Sequence, residues 1–187
     1  MTNLVPYLKT RRVRLAPVGA ESSRTIYDYL VKFGMNEPPA PDAFGRRMMD
    51  QVVRLFVVEL SGRDEAIGFA MLQNHSPAGH VEVGIYTDDS RSPVGAGAEA
   101  TVLLINYAFA ALEVLKVYAV TTELSRGGFG VAFTAGVREA TLPDHFYFHG
   151  RLWDAYYYAV TLDEWLRVGI PFVDRLTSAP SRARSVR

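Results

Sequence analysis

The sequence has no cysteine, which removes disulfide staples, thiolate nucleophiles and thiolate metal ligands together. Histidine is scarce, at four residues. The one close pair, His145 and His149, falls in a stretch that reads as strand, where residues four apart are about 13 Å apart; no metal site is expected there or elsewhere. Long apolar runs are missing as well. Nothing approaches the roughly 20 apolar residues of a bilayer-spanning helix, and residues 1–8 lack the apolar core of an export signal. Twenty basic and twenty acidic residues cancel, so no net field draws the protein to nucleic acid or to a membrane surface. The expectation is a cytoplasmic protein without metal, nucleic-acid or membrane partners.

What is present suits one domain. The chain has 187 residues, 49% of them hydrophobic, enough for a full core. No repeat or linker divides it, so a single domain is placed on 1–173. The basic, apolar-poor end at 174–187 is expected to be disordered. Within the domain, 8-LKTRRVRLAP-17 alternates as an entering strand. Ser22 or Ser23 can cap a helix carrying Ile26, Leu30 and Phe33. After the rigid loop 36-NEPPAPD-42, Asp42 can cap a short helix reaching Val53. A hairpin follows, from 54-RLFVVEL-60 to 66-AIGFAMLQ-73. The fourth strand, 80-HVEVGIYT-87, sets Val81, Val83 and Ile85 on one face and Glu82, Gly84 and Tyr86 on the other. A helix over 98–112, a strand 117-VYAVTTE-123, a glycine-rich piece, an aromatic hairpin over 145–160 and a short helix at 163–167 complete the order. That order predicts an α+β fold whose mixed sheet contains one parallel crossover.

Between the fourth strand and the long helix lies 90-SRSPVGAGAEATVLL-104. Gly95 and Gly97 permit close backbone approach. The unpaired N–H groups and positive dipole end at the helix start favour a phosphate or pyrophosphate there. A nucleotide-triphosphate loop would need Lys-Ser or Lys-Thr after the glycines, and neither is present. Gly95-Ala96-Gly97-Ala98-Glu99-Ala100 fits the dinucleotide pattern G-x-G-x-x-A, with Glu123 at about the ribose-binding distance. Such loops follow their strand at once and open parallel units, whereas Asp88 to Val94 intervene here and an antiparallel hairpin comes next.

The whole order resembles the GNAT acetyltransferase superfamily, and within it the ribosomal-protein Nα-acetyltransferase-like (Rim-type) branch. The resemblance rests on 11-RRVRLAPV-18, 65-EAIGFAML-72, 82-EVGIYTDDSRSPVGAGAEA-100, 136-GVRE-139 and 150-GRLWDAYYYAVTLDEW-165. It implies a mixed, mostly antiparallel central sheet, with a splayed fourth and fifth strand pair and helices on both faces. It also implies an N-acyltransferase that takes acetyl or another short acyl group from acyl-coenzyme A. The acceptor would be a primary amine of a small molecule or peptide. By position, the backbone of Ile85, Tyr86 and Thr87 would meet the acyl carbonyl and pantetheine arm. Val94, Gly95, Ala96, Gly97 and Ala98 would hold the pyrophosphate, with Arg91 or Ser92 adding a side-chain contact. Thr122 stands where the family usually has an asparagine.

Amine acylation also needs a base and a proton for the leaving thiolate. Glu82 is the candidate base; Tyr86 and Ser125 are the available hydroxyls. Glu99 is expected to favour the helix start electrostatically, without chemistry. Val102, Ile105, Phe109 and Leu112 should be core, and Asn106 should bond a neighbouring strand. Pro93, which removes one N–H from the loop, the displaced Arg91 and Thr122 all depart from the family pattern. They open a second reading, in which the acyl group arrives on the phosphopantetheine arm of an acyl carrier protein. A third is a non-catalytic binding module of the same fold. Monomer and homodimer are both compatible with the sequence.

Overall fold

The computed structural model describes residues 4–19, 22–32, 40–63, 65–88, 90–122, 136–148 and 150–178. Phe33, the loop at 36–39, Glu123, the glycine-rich piece at 125–133 with Ser125, His149 and the end beyond 178 lie outside these residues.

One seven-stranded sheet organises the chain, in the order β1-β2-β3-β4-β5-β7-β6. The strands are β1 (Val13–Val18), β2 (Val52–Leu60), β3 (Glu65–Ser76), β4 (His80–Thr87), β5 (Lys116–Thr121), β6 (Val137–Phe148) and β7 (Arg151–Thr161). Every neighbouring pair is antiparallel except β4–β5. That parallel pair requires a crossover, supplied by α3 (Ala96–Leu112).

Two helices, α1 (Ser23–Lys32) and α2 (Pro41–Gln51), precede β2. The start of α2 differs from expectation: its N-cap is Ala40, with no side-chain hydrogen bond, and Asp42 sits in the first turn. Pro41 explains the shift, because its fixed φ suits the first helical position and its missing N–H costs nothing there. The last helix, α4, opens at Leu162–Glu164, widens into a π-helical turn at Trp165–Gly169 and continues through Ile170–Thr177. It therefore runs past the boundary expected at 173.

Strand alternation divides the core between the two sheet faces. Phe56, Val58, Leu72, Val81, Val83, Val117 and Val160 face α3, with Trp165 and Val173 of α4 behind them. Leu55, Phe69 and Met71 face Ile26, Leu30, Phe44 and Met48 of α1 and α2. Val102, Ile105 and Phe109 are buried as their spacing requires, but Leu103 and Leu104 are buried too. A helix apolar nearly all round must be enclosed, and α3 is sandwiched between sheet and α4. Asn106 differs from expectation: instead of a strand, its amide donates to the Val5 carbonyl at 2.7 Å and accepts the Trp165 indole N–H at 3.4 Å. Among the described residues no helix is long and apolar enough to cross a membrane.

Candidate active site

The β4–β5 ladder pairs His80 with Lys116, Val81 with Val117, Glu82 with Tyr118 and Val83 with Ala119, and then stops. Beyond that point β4 continues to Thr87 bonded only to β3, while β5 continues to Thr121 bonded to β7. The two strands thus splay at their carboxyl ends. The Asp88 N–H donates to the Ile67 carbonyl at 2.8 Å, which fixes the ladder's parity. Backbone groups along a strand turn alternately to its two neighbours. Gly84 and Tyr86 therefore bond toward β3, and Ile85 and Thr87 present their N–H groups to the opening. The Tyr86 carbonyl oxygen would lie 2.0 Å from a Cβ at Gly68, which agrees with that parity.

On the α1–α2 face, Glu82, Gly84 and Tyr86 lie opposite Gln73, Met71 and Phe69 of β3. Tyr86 stacks on Phe69 with ring centroids 4.8 Å apart, and Phe69 lies 6.3 Å from Tyr29. Tyr86 is 39% exposed as a whole residue. The protein around its hydroxyl still raises the phenol pKa by desolvation, so the phenol is protonated at neutral pH. One oxygen of Glu82, Oε2, accepts from Asn74 Nδ2 at 2.9 Å and from Gln73 Nε2 at 3.5 Å. Its other oxygen has no partner among the described residues.

Across from Glu82, the Tyr118 hydroxyl donates to Glu139 at 2.9 Å, and Lys116 Nζ donates to the other Glu139 oxygen at 2.8 Å. Their mutual hydrogen bond raises the Lys116 pKa and lowers that of Glu139. This triad was not among the residues expected from the sequence. Its signal was available in part: Lys116 and Tyr118, two apart on a strand, share a face with Glu82.

The loop before α3 is built on Asp88. Its Oδ1 accepts from the Ser90 N–H at 3.1 Å and the Ser90 hydroxyl at 2.5 Å. Its carbonyl accepts from Arg91 and Ser92 at 3.0 and 2.9 Å. Gly95 caps α3 at φ 86°, a left-handed conformation that favours glycine. The Ala96 N–H is committed to the Pro93 carbonyl at 2.9 Å, and that of Glu99 to Gly95 at 3.0 Å. Among the described residues, the N–H groups of Val94, Gly95, Gly97 and Ala98 have no acceptor. Among the described residues the Ser92 hydroxyl is buried without a partner, as is that of Thr122, just past β5.

Arg91 points elsewhere. It donates to Glu65 at 2.9 Å, a hydrogen bond that raises its pKa. The cation beside the loop is Arg12, which the sequence reading did not single out. Its Nε donates to Glu99 at 2.7 Å, Nη1 donates to the Val94 carbonyl at 3.0 Å, and Nη2 completes an ion pair with Glu99. A Cβ on Gly95 would lie 3.2 Å from this guanidinium. Thr10 holds the second Glu99 oxygen at 2.6 Å. Glu99 is nearly buried (8% of its side chain exposed), whereas Arg12 is half exposed, at 51%. Removing Arg12 strands a buried carboxylate, a strongly unfavourable change when complete. Because Arg12 is half in water and Thr10 remains, Arg12→Met is expected to cost about 1–2 kcal/mol in urea unfolding.

The chain's likenesses agree with this geometry. A family model described as an acetyltransferase (GNAT) domain matches residues 15–138. Comparison with curated proteins gives no match. Among solved structures, mutant forms of a spermidine/spermine N-acetyltransferase from Vibrio cholerae superpose with a TM-score of 0.68 at 16% identity, over 83% of this chain and 97% of that one. A ribosomal-protein-S5-alanine acetyltransferase from Vibrio fischeri gives 0.65 at 17% identity, over 84% and 97%. A probable acetyltransferase of the GNAT family from Chromobacterium violaceum gives 0.62 at 19%, over 84% and 87%. At such identities the likeness is one of fold.

Proposed function

The chain belongs to the GNAT acetyltransferase family, and from that premise we propose that it transfers an acetyl or other short acyl group from acyl-coenzyme A to a primary amine by direct attack. The observation that carries the reading is the end of the β4–β5 ladder at Val83 and Ala119. It leaves backbone donors facing the opening between the splayed strands, and the amides at the start of α3 have no acceptor among the described residues. In this reading the N–H groups of Val94, Gly95, Gly97 and Ala98 bind the pyrophosphate, with Arg12 beside them.

Ile85 and Thr87 aim their amides at the thioester oxygen, where negative charge grows as the amine nitrogen adds to the carbonyl carbon. Donors fixed in advance at such a position are commonly worth a few kcal/mol. The free oxygen of Glu82 takes the proton that the attacking nitrogen must lose, directly or through water. When the carbon–sulfur bond breaks, the Tyr86 hydroxyl returns a proton to the thiolate; Ser125 is the other hydroxyl available for that role. The buried hydroxyls of Ser92 and Thr122 are additional contacts for the donor. The acceptor is a small amine or a peptide amino terminus; of the structural neighbours, one is named for spermidine and spermine and another for an alanine of ribosomal protein S5.

A second reading takes the acyl group from a carrier-borne phosphopantetheine arm. The turn of Arg91 toward Glu65 favours it, because the loop's own arginine is then absent from the pyrophosphate. Calorimetry with acetyl-coenzyme A and acetyl-pantetheine separates the two. The first reading expects coenzyme A to bind in about the micromolar-to-millimolar range and the fragment at least about tenfold more weakly, a difference of about 1.4 kcal/mol. Equal affinities favour the carrier, and silence with both overturns acyl transfer from either donor.

A further inference from the structure

The β3–β4 ladder slips between Gln73 and Ser76: Gln73 pairs with Glu82, and Ser76 pairs with His80. Asn74 and His75 therefore stand opposite Val81 alone, as a β-bulge. Inside this strand Asn74 adopts φ 54°, a left-handed conformation that asparagine tolerates better than most residues. The consequence concerns aim. In a regular strand Asn74 would point to the face opposite Gln73. The bulge instead sends both amides to the same Glu82 oxygen, Asn74 at 2.9 Å and Gln73 at 3.5 Å.

No cation competes for Glu82 among the described residues. Lys116 on β5 is held by Glu139, Tyr118 turns its hydroxyl to Glu139, and the His80 ring lies edge-on to Tyr118 at 5.4 Å. The carboxylate is thus steadied by neutral donors through Oε2, while Oε1 is left open.

We infer that Asn74 is a positioning residue for Glu82: its amide, re-aimed by the bulge, anchors one carboxylate oxygen so that the other meets the acceptor amine. This rests on the reading of Glu82 as the base. It predicts a selective loss. Asn74→Gly keeps the positive φ and deletes the amide, so kcat should fall about tenfold, the scale of one hydrogen bond to a charged group. KM for acetyl-coenzyme A and the melting temperature should stay unchanged. Asn74→Asp keeps the shape but sets a second carboxylate against Glu82, and kcat should fall further.

The test uses the full chain with acetyl-coenzyme A and a panel of primary amines that includes spermidine and an alanine-terminated peptide, with thiol release as the readout. A kcat for Asn74→Gly within twofold of the parent overturns the inference. So does a loss that appears in donor KM or tracks a lowered melting temperature in both variants. In a Glu82→Gln background, Asn74→Gly should add nothing; a further tenfold loss there also overturns it. If Glu82→Gln itself turns over normally, or no amine is acylated, the underlying reading falls and this inference falls with it.

Discussion

Glu82→Gln lowers kcat by about 10²–10³-fold and leaves acetyl-coenzyme A affinity within about twofold; this is the expected result of steady-state kinetics paired with calorimetry. The substitution preserves shape. A glutamine oxygen can still accept from Asn74, which lies 2.9 Å from the native carboxylate, so the strand has no reason to move. Only basicity is lost. The proton of the attacking nitrogen then has no positioned acceptor, because Glu139, the nearby carboxylate across β5, is already engaged by Lys116 and Tyr118. In the proposed reading the donor is held by the start of α3 and the amides of Ile85 and Thr87, so its binding should not sense the change. A loss confined to KM would mean that Glu82 binds the acceptor rather than deprotonating it.

Gly68→Ala should be the most damaging small substitution in the sheet. An added Cβ would stand 2.0 Å from the Tyr86 carbonyl oxygen, 2.9 Å from Thr87 Cα and 3.0 Å from the Tyr86 carbonyl carbon. All three are backbone atoms, so no rotamer change relieves the clash and β4 itself must shift. Overpacking of this kind costs about 1–3 kcal/mol, occasionally more, or a fall of several degrees in melting temperature for a chain this long, at about 2–4 °C per kcal/mol. Thr87, one of the residues that would be displaced, is also one whose amide faces the opening between β4 and β5. Acyl transfer should therefore fall further than the folded fraction does at the assay temperature. A variant that melts lower but retains full kcat would separate the strand's stability from its alignment.

Much of the fold could be read directly from alternation and turn residues. The segment 80–87 reads as a strand and is one, because its two faces carry different chemistry and a turn bounds it at Gly79. The crossover helix begins at Ala96 rather than at 98, since Gly95 in a left-handed conformation acts as its cap and the helix starts immediately after. The glycine turn was visible as a helix start for the same reason. Its cation was not visible. Arg12 meets Glu99 across 87 residues of sequence, and a basic run before an edge strand looks like any solvated face. Arg91, adjacent in sequence, was the natural choice, and Glu65 takes it away. Asn74 was hidden for another reason. Its orientation depends on a slip in register that is set by the partner strand, and no local pattern announces that slip. Local chemistry marked where the chain turns and which residues it offers; long-range pairing decided which of them face one another.

The tie from Thr10 and Arg12 to Glu99 and the Val94 carbonyl has a thermodynamic corollary. It fastens the glycine turn to the segment that leads into the sheet's first strand before any guest arrives. A turn already immobilised gives up little conformational freedom on meeting a pyrophosphate. Donor capture should then resemble docking onto a rigid ledge, with an unfavourable entropy that comes chiefly from the flexible pantetheine arm and hardly at all from the protein.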